Sequence, residues 1–71
     1  MSHEIAAEMV ANVLTVVAEQ GAALQAGDTI VILESMKMEI PVLAETAGTL
    51  VDLRVRVGDV VQEGDVLAVV S

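Results

Sequence analysis

The chain has 71 residues, of which 55% are hydrophobic and none is aromatic, so it can form one domain with a modest aliphatic core. Its formal net charge is −8, from three basic and eleven acidic residues. This balance disfavours nucleic acids and anionic membranes as partners, because both select for clusters of Lys and Arg. The absence of cysteine excludes disulfides and thiolate chemistry and is compatible with a reducing cytoplasm.

The N-terminal segment MSHEIAAEM has neither a basic n-region nor a long apolar stretch, so no signal peptide is predicted. The apolar runs at 30–33 and 66–70 are too short to span a bilayer. His3, the only histidine, lies in a segment expected to be frayed and has no neighbouring metal ligand, so no metal site is expected. We therefore expect a soluble, cytoplasmic protein.

Residues 4–24 are rich in Ala and Glu and would allow a helix on propensity alone. However, GAALQAGD at 21–28 recurs as GDVVQEGD at 58–65, at an offset of 37 residues. The same offset pairs Ala7 with Ala44 and Leu14 with Val51. The chain is therefore interpreted as two copies, about 4–34 and 41–71, and the first copy is expected to share the fold of the second.

The second copy has the pattern of β-strands. In VDLRVRV, apolar and polar residues alternate, which predicts a half-buried strand with four residues facing inward: Val51, Leu53, Val55 and Val57. The repeat then places Leu14, Val16 and Ala18 inward in the first copy. The runs 29–33 and 66–70 are typical of strands buried on both faces. Each follows a Gly-Asp turn, at 27–28 or 64–65, where the glycine can supply a positive φ and the aspartate can cap the backbone.

The only lysine, Lys37, lies in ESMKMEIPV at 34–42, where one copy ends and the next begins. Two β halves that cannot bury their own apolar faces are expected to pair as a small sandwich or flattened barrel. A two-fold axis would place the junction hairpin, 35–38, at one end and the chain termini at the other. Lys37 is then expected on an exposed tip, and Pro41 at the start or edge of a strand.

These motifs resemble the biotinyl/lipoyl attachment domain family over all 71 residues. The match to the EAMKM box of biotin carriers comprises Glu34, Met36, Lys37 and Met38, whereas lipoyl carriers usually show Asp-Lys-Ala around the lysine. GDVVQEGDVL at 58–67 matches the glycine-rich element of the family. The resemblance implies a single all-β domain over 1–71, a flattened barrel of two four-stranded antiparallel sheets with a quasi-two-fold internal repeat.

Three departures from the family pattern are visible. Ser35 replaces the usual alanine of the box, and AEMVANV at 7–13 stands where many biotin carriers have a segment such as APMPGTV, so that Ala11 replaces a glycine. The gapless repeat leaves no room for the thumb loop of some bacterial acetyl-CoA carboxylase carriers.

By this resemblance, a biotin protein ligase attaches biotin to Lys37, and the tethered biotin shuttles a carboxyl group between a biotin carboxylase and a carboxyltransferase, of the acyl-CoA type. Met36, Met38 and Glu34 are implied to be recognised by the ligase or its partners. The chain is then a carrier without intrinsic catalysis, monomeric when free.

Several alternatives remain open. The chain could be a lipoyl carrier or an unmodified β-sandwich adaptor. Met36 and Met38 could pack against the sheet ends, and Glu34 and Glu39 could be ordinary solvating charges.

Overall fold

The strands of the computed structural model, which describes residues 2–71, form two antiparallel sheets. They are β1 (His3–Ala6), β2 (Ala11–Val16), β3 (Ala23–Leu24), β4 (Thr29–Ser35), β5 (Met38–Leu43), β6 (Gly48–Leu53), β7 (Val60–Val61) and β8 (Val66–Val70). The strand orders are β1-β8-β6-β3 and β5-β4-β2-β7. The predicted all-β fold with two four-stranded sheets is confirmed, and Pro41 lies on the edge strand β5. Within residues 2–71 there is no helix that could cross a membrane.

The 37-residue repeat is visible in the backbone hydrogen bonds between the halves. The N–H of Ala7 donates to the carbonyl of Asp65 (2.8 Å), and the N–H of Gly64 donates to the carbonyl of Ala7 (2.9 Å). Ala44 makes the equivalent pair of bonds with the 27–28 turn, both at 2.8 Å. Each half therefore binds the Gly-Asp turn of the other, and the quasi-two-fold repeat is confirmed.

The two Gly-Asp turns have the predicted conformation. Gly27 and Gly64 have φ of +94° and +91°, a region that side chains disfavour. In each turn the aspartate Oδ2 accepts a hydrogen bond from the backbone N–H three residues earlier, at 2.9 Å for Asp28 and 2.8 Å for Asp65. These carboxylates therefore stabilise turns.

Every residue of β4 and β8 is buried or half-buried, as predicted for strands covered on both faces. The two strands supply most of the largest fully buried side chains of an aliphatic core: Ile30, Leu33, Leu50, Leu67, Val13, Val31 and Val70. The core thus lies between the sheets and reaches along β4 to the hairpin.

The predicted inward positions of Leu14 and Val51 are wrong. Their exposed fractions are 38% and 45%, and the neighbouring residues Val13 and Leu50 are buried instead. The strand register shifts at both places, between Val13 and Thr15 and at the equivalent point in β6. A β-bulge adds one residue to one strand, so the in-out alternation changes phase there.

The strand predicted over 51–57 is also too long, because β6 ends at Leu53. Val55 is buried as predicted and Leu53 is half-buried, but Val57 is 64% exposed. The chain turns at this point, where the Oδ2 of Asp59 accepts a hydrogen bond from the N–H of Arg56 at 2.9 Å. In the first copy, Val16 is half-buried and Ala18 is buried.

The chain ends pair with each other. His3, in the segment expected to be frayed, begins β1 opposite Val70 of β8, so that expectation is wrong. Under the 37-residue repeat, the β1–β8 pair is equivalent to the β5–β4 pair. The chain ends therefore occupy the position that the β4–β5 turn occupies in the other half.

Candidate modification site

Lys37 lies in the two-residue turn that joins β4 to β5, closed by the pair Ser35 and Met38. The two turn residues, Met36 and Lys37, have φ of 53° and 65° and are the only non-glycine residues with positive φ among residues 2–71. Positive φ at both central positions is the signature of a type I′ hairpin turn, which normally selects Asn or Gly. A residue with a side chain pays about 1–2 kcal/mol in this region. The hairpin tip was predictable from the repeat, but this backbone conformation was not.

The side chains of the tip face solvent. Met36 is 91% exposed, Met38 is 64% exposed, and Lys37 is also exposed. The alternative that the two methionines pack against the sheet ends is therefore not supported.

Lys37 has no ion-pair partner among residues 2–71. The one ion pair of the described chain joins Arg54 Nε to Asp52 Oδ2 at 2.8 Å, and that hydrogen bond raises the pKa of Arg54. The lysine amine is therefore accessible to another molecule without first breaking a salt bridge.

Two acidic residues of the motif face each other next to the turn. Glu34, half-buried on β4, lies directly opposite the exposed Glu39 of the edge strand β5, and Asn12 of β2 lies on its other side. The structure thus brings Glu34, Met36, Lys37 and Met38 together on one hairpin. Like charges directly opposite each other on neighbouring strands are destabilising.

A second segment, 7–13, was noted from the sequence only as a departure from the family pattern and not as part of the site, but it belongs to this end of the molecule. Asn12 pairs with Glu34, so the residues that precede β2 lie alongside the turn. Here Met9 is 36% exposed and Val10 is 63% exposed. Their equivalents in the repeat are Thr46 and Ala47. Comparing AEMVANV with its copy AETAGTL could therefore have shown that only the first copy has two large apolar residues at these positions.

Two concave surfaces of the described chain have no lining residue from the hairpin 35–38. One, of about 520 Å³, is lined by residues of the 54–66 segment, and the other, of about 350 Å³, lies between β1 and β5. In the part of the chain that the structure describes, no three His, Cys, Asp or Glu side chains are placed to hold a metal ion. The chemical feature of the tip is thus a single accessible amine.

Comparisons with known proteins agree with this geometry. A family model described as "Biotin-requiring enzyme", for the biotin/lipoyl domain, matches residues 3–70. The chain is 54% identical to the biotinylated protein TB7.3 homolog of Mycobacterium leprae over 71 residues, which is 100% of both chains.

Solved structures show the same fold. A single-chain, multi-domain long-chain acyl-CoA carboxylase matches 96% of this chain at 37% identity and a TM-score of 0.90, although the match covers only 7% of that protein. The lipoyl domain of the 2-oxoglutarate dehydrogenase complex of Azotobacter vinelandii matches 94% of this chain and 95% of its own, at 25% identity and a TM-score of 0.78. The chain therefore belongs to the biotinyl/lipoyl attachment family, which is a family of carrier domains.

Proposed function

We propose that residues 1–71 form one biotin carrier domain and that Lys37 is its attachment site. The observation that carries this proposal is the position of the only lysine of the chain, exposed on the type I′ turn between β4 and β5. The repeat halves, about 4–34 and 41–71, form the body, and the junction hairpin 35–38 presents the amine.

The residues at the tip fit a covalent amide. The amine belongs to an exposed residue of a two-residue turn and has no ion-pair partner among residues 2–71. An exposed primary amine is mostly protonated at neutral pH and is a weak nucleophile in that state. A ligase must therefore supply both the activated acyl group and the base that removes the proton.

In the attachment reaction the chain supplies the amine, and the ligase supplies the activated acyl group. The nitrogen of Lys37 forms a bond to the carboxyl carbon of biotin activated as an acyl-adenylate, adenylate leaves, and the amine loses its protons to solvent or a ligase base. The product is a neutral amide, so the tip loses its positive charge. The ureido ring of bound biotin supplies the carboxyl-carrying chemistry, and the chain holds and presents it.

We assign Met36, Met38 and Glu34 to recognition by the ligase or the carboxylase subunits. Both methionine side chains are more than half exposed, so their thioethers are available to a partner surface. Glu34 is half-buried on the central strand β4, between Asn12 of β2 and Glu39 of β5, so its position beside the turn is set by strand pairing on both sides. Glu39, on the edge strand, is assigned as a solvating charge.

The carrier is proposed to serve a biotin carboxylase and a carboxyltransferase, with an acyl-CoA as the acceptor class. Support for this class comes from the similarity to a domain of a long-chain acyl-CoA carboxylase. The chain acts as a monomer that presents one arm to two active sites. Tethering raises the effective concentration of the carried group at each site.

A lipoyl carrier is the main alternative, because the two kinds of domain share this fold. The ESMKM sequence at 34–38 favours biotin over the Asp-Lys-Ala context of lipoyl carriers, and the relative at 54% identity is named a biotinylated protein.

Intact-mass measurement after co-expression with a biotin ligase and biotin tests the proposal. We expect one biotinyl group on the wild-type chain and none on Lys37→Arg, which keeps the charge but removes the primary amine. A lipoyl mass increment would favour the lipoyl carrier, and an unmodified chain would favour the adaptor. Biotin attached to any side chain of the Lys37→Arg variant would refute the assignment of the site.

A further inference from the structure

All the methionines that the structure describes lie at the lysine end. Met36 and Met38 flank Lys37 in the hairpin, and Met9 precedes β2 alongside the same turn. The chain has no cysteine and no aromatic residue, so these thioethers are the most readily oxidised side chains of the described part. Chemistry that can respond to an oxidant is thus concentrated where the carrier is modified.

We propose that Met36 and Met38 are sites of reversible sulfoxidation by peroxide, and that this oxidation slows the enzymatic modification of Lys37. The inhibitory half of the proposal rests on the proposed function. In each step the O–O bond of the peroxide breaks, one oxygen forms a bond to the thioether sulfur, and water is released from hydrogen peroxide. The sulfur is oxidised by two electrons and the peroxide is reduced by two.

The structure predicts the order in which the sulfurs react. Susceptibility of a thioether follows its exposure, and the exposed fractions are 91% for Met36, 64% for Met38 and 36% for Met9. Met36 lies in the turn between β4 and β5 and belongs to neither strand. Met36 is therefore expected to oxidise first and Met9 last.

Sulfoxidation changes recognition without changing the fold or the amine. It converts a flexible apolar side chain into a polar, chiral one, which disrupts contacts made through methionine. A partner that covers Met36 or Met38 must then desolvate the new oxygen, at a cost equivalent to about a tenfold loss of rate when no hydrogen bond replaces it. Neither sulfur belongs to the buried core, so the free energy of unfolding is expected to change little.

The first experiment maps oxidation. The chain is treated with limiting hydrogen peroxide, and peptide mass spectrometry follows the gain of one oxygen at each methionine. The expected order is Met36, Met38, Met9. Oxidation of Met9 before both others would overturn the proposal.

The second experiment measures biotinylation by a ligase on three proteins: reduced, oxidised, and oxidised chain repaired with methionine sulfoxide reductases and a thiol reductant. We expect kcat/KM to fall about tenfold on oxidation and to recover on repair. In the double variant Met36→Leu, Met38→Leu, whose basal rate is measured separately, peroxide should leave the rate unchanged. Equal rates for oxidised and reduced wild type, or a peroxide effect that persists in the double variant, would overturn the inhibitory half.

A chemical control separates recognition from access. Acylation of Lys37 by an N-hydroxysuccinimide ester needs no ligase and should proceed equally on reduced and oxidised chains. Slower chemical acylation after oxidation would mean that the amine itself had changed, which contradicts the proposal. If a ligase fails to modify even the reduced chain, the proposed function is refuted, and so is the claim that oxidation slows modification of Lys37. The mapping experiment still decides whether Met36 and Met38 are the sites of sulfoxidation.

Discussion

Glu34 of β4 and Glu39 of β5 lie directly opposite each other, next to the turn that holds Met36 and Lys37 with positive φ. Like charges on facing strand positions repel, and left-handed backbone is costly for residues with a side chain. Two unfavourable features thus coincide on one hairpin, beside the only lysine of the chain. Local strain that persists at one place is typical of a site selected for function, and it makes the hairpin a place where stability can be raised by mutation.

Replacing Glu39 with Gln should stabilise the protein. The change removes the repulsion with Glu34 and keeps the side chain's size, so we expect the free energy of unfolding to rise by about 0.2–1 kcal/mol. Urea unfolding at low and high salt measures it, and the gain should shrink at high salt because exposed charges are screened. A destabilised variant would contradict the repulsion between Glu34 and Glu39.

Glu34→Gln is the matched comparison for that change. It relieves the same repulsion, so its effect on unfolding should have the same sign. If Glu34 is recognised by the ligase, only this variant should be biotinylated more slowly, by about tenfold when a charged hydrogen bond is lost. Equal biotinylation rates for the two variants would remove Glu34 from the recognition surface.

Met36→Gly should stabilise the fold. Glycine adopts positive φ without a Cβ clash, so about 1 kcal/mol of strain is released, and the 91% exposed side chain contributes little packing. Met38→Gly is the control, since Met38 lies on β5 and does not have positive φ. There glycine weakens a strand, so unfolding should become easier. Thermal unfolding should show a higher midpoint for Met36→Gly and a lower midpoint for Met38→Gly. Destabilisation by Met36→Gly would refute the claim that the backbone of Met36 is strained.

Gly48→Ala should destabilise the protein through a steric clash. A Cβ at Gly48 would lie 2.6 Å from the carbonyl oxygen of Ser71 and 2.9 Å from Cγ1 of Val70. Backbone must move to relieve the first contact, so we expect a loss of about 1–3 kcal/mol in urea unfolding. Thr49→Ala, at the exposed neighbour, should change the free energy of unfolding far less. A neutral Gly48→Ala would mean that β6 and the C-terminal residues separate easily.

The repeat made the fold predictable, but the bulges were not visible in it. Leu14 and Val51 occupy equivalent positions in the two copies and are both apolar, so comparing the copies repeated the same error instead of correcting it. Whether an apolar residue faces the core depends on strand register, which is set by pairing across the sheet. The buried runs in β4 and β8 escaped this problem because both of their faces are covered.

The sequence predicts where the candidate site lies in the fold, but it does not predict the backbone conformation of the site. The single lysine at the junction of two copies predicts an exposed tip, which Lys37 occupies. The left-handed backbone was not predictable, because neither Met nor Lys favours it and the tight register of the hairpin imposes it. Met9 and Val10 were missed for another reason: only the pairing of β2 with β4 brings their segment beside the turn.

Association of the biotinylated carrier with a biotin carboxylase should slow as salt rises. The chain has a net charge of −8, and amide formation at Lys37 removes one more positive charge, so a basic enzyme surface would steer it electrostatically. The screening length falls from about 10 Å at 0.1 M to about 3 Å at 1 M salt. We expect the second-order rate of carrier-dependent ATP turnover to fall severalfold over a range where turnover with free biotin is constant. A flat rate would refute steering by the acidic surface, and no turnover with any such enzyme would favour the adaptor.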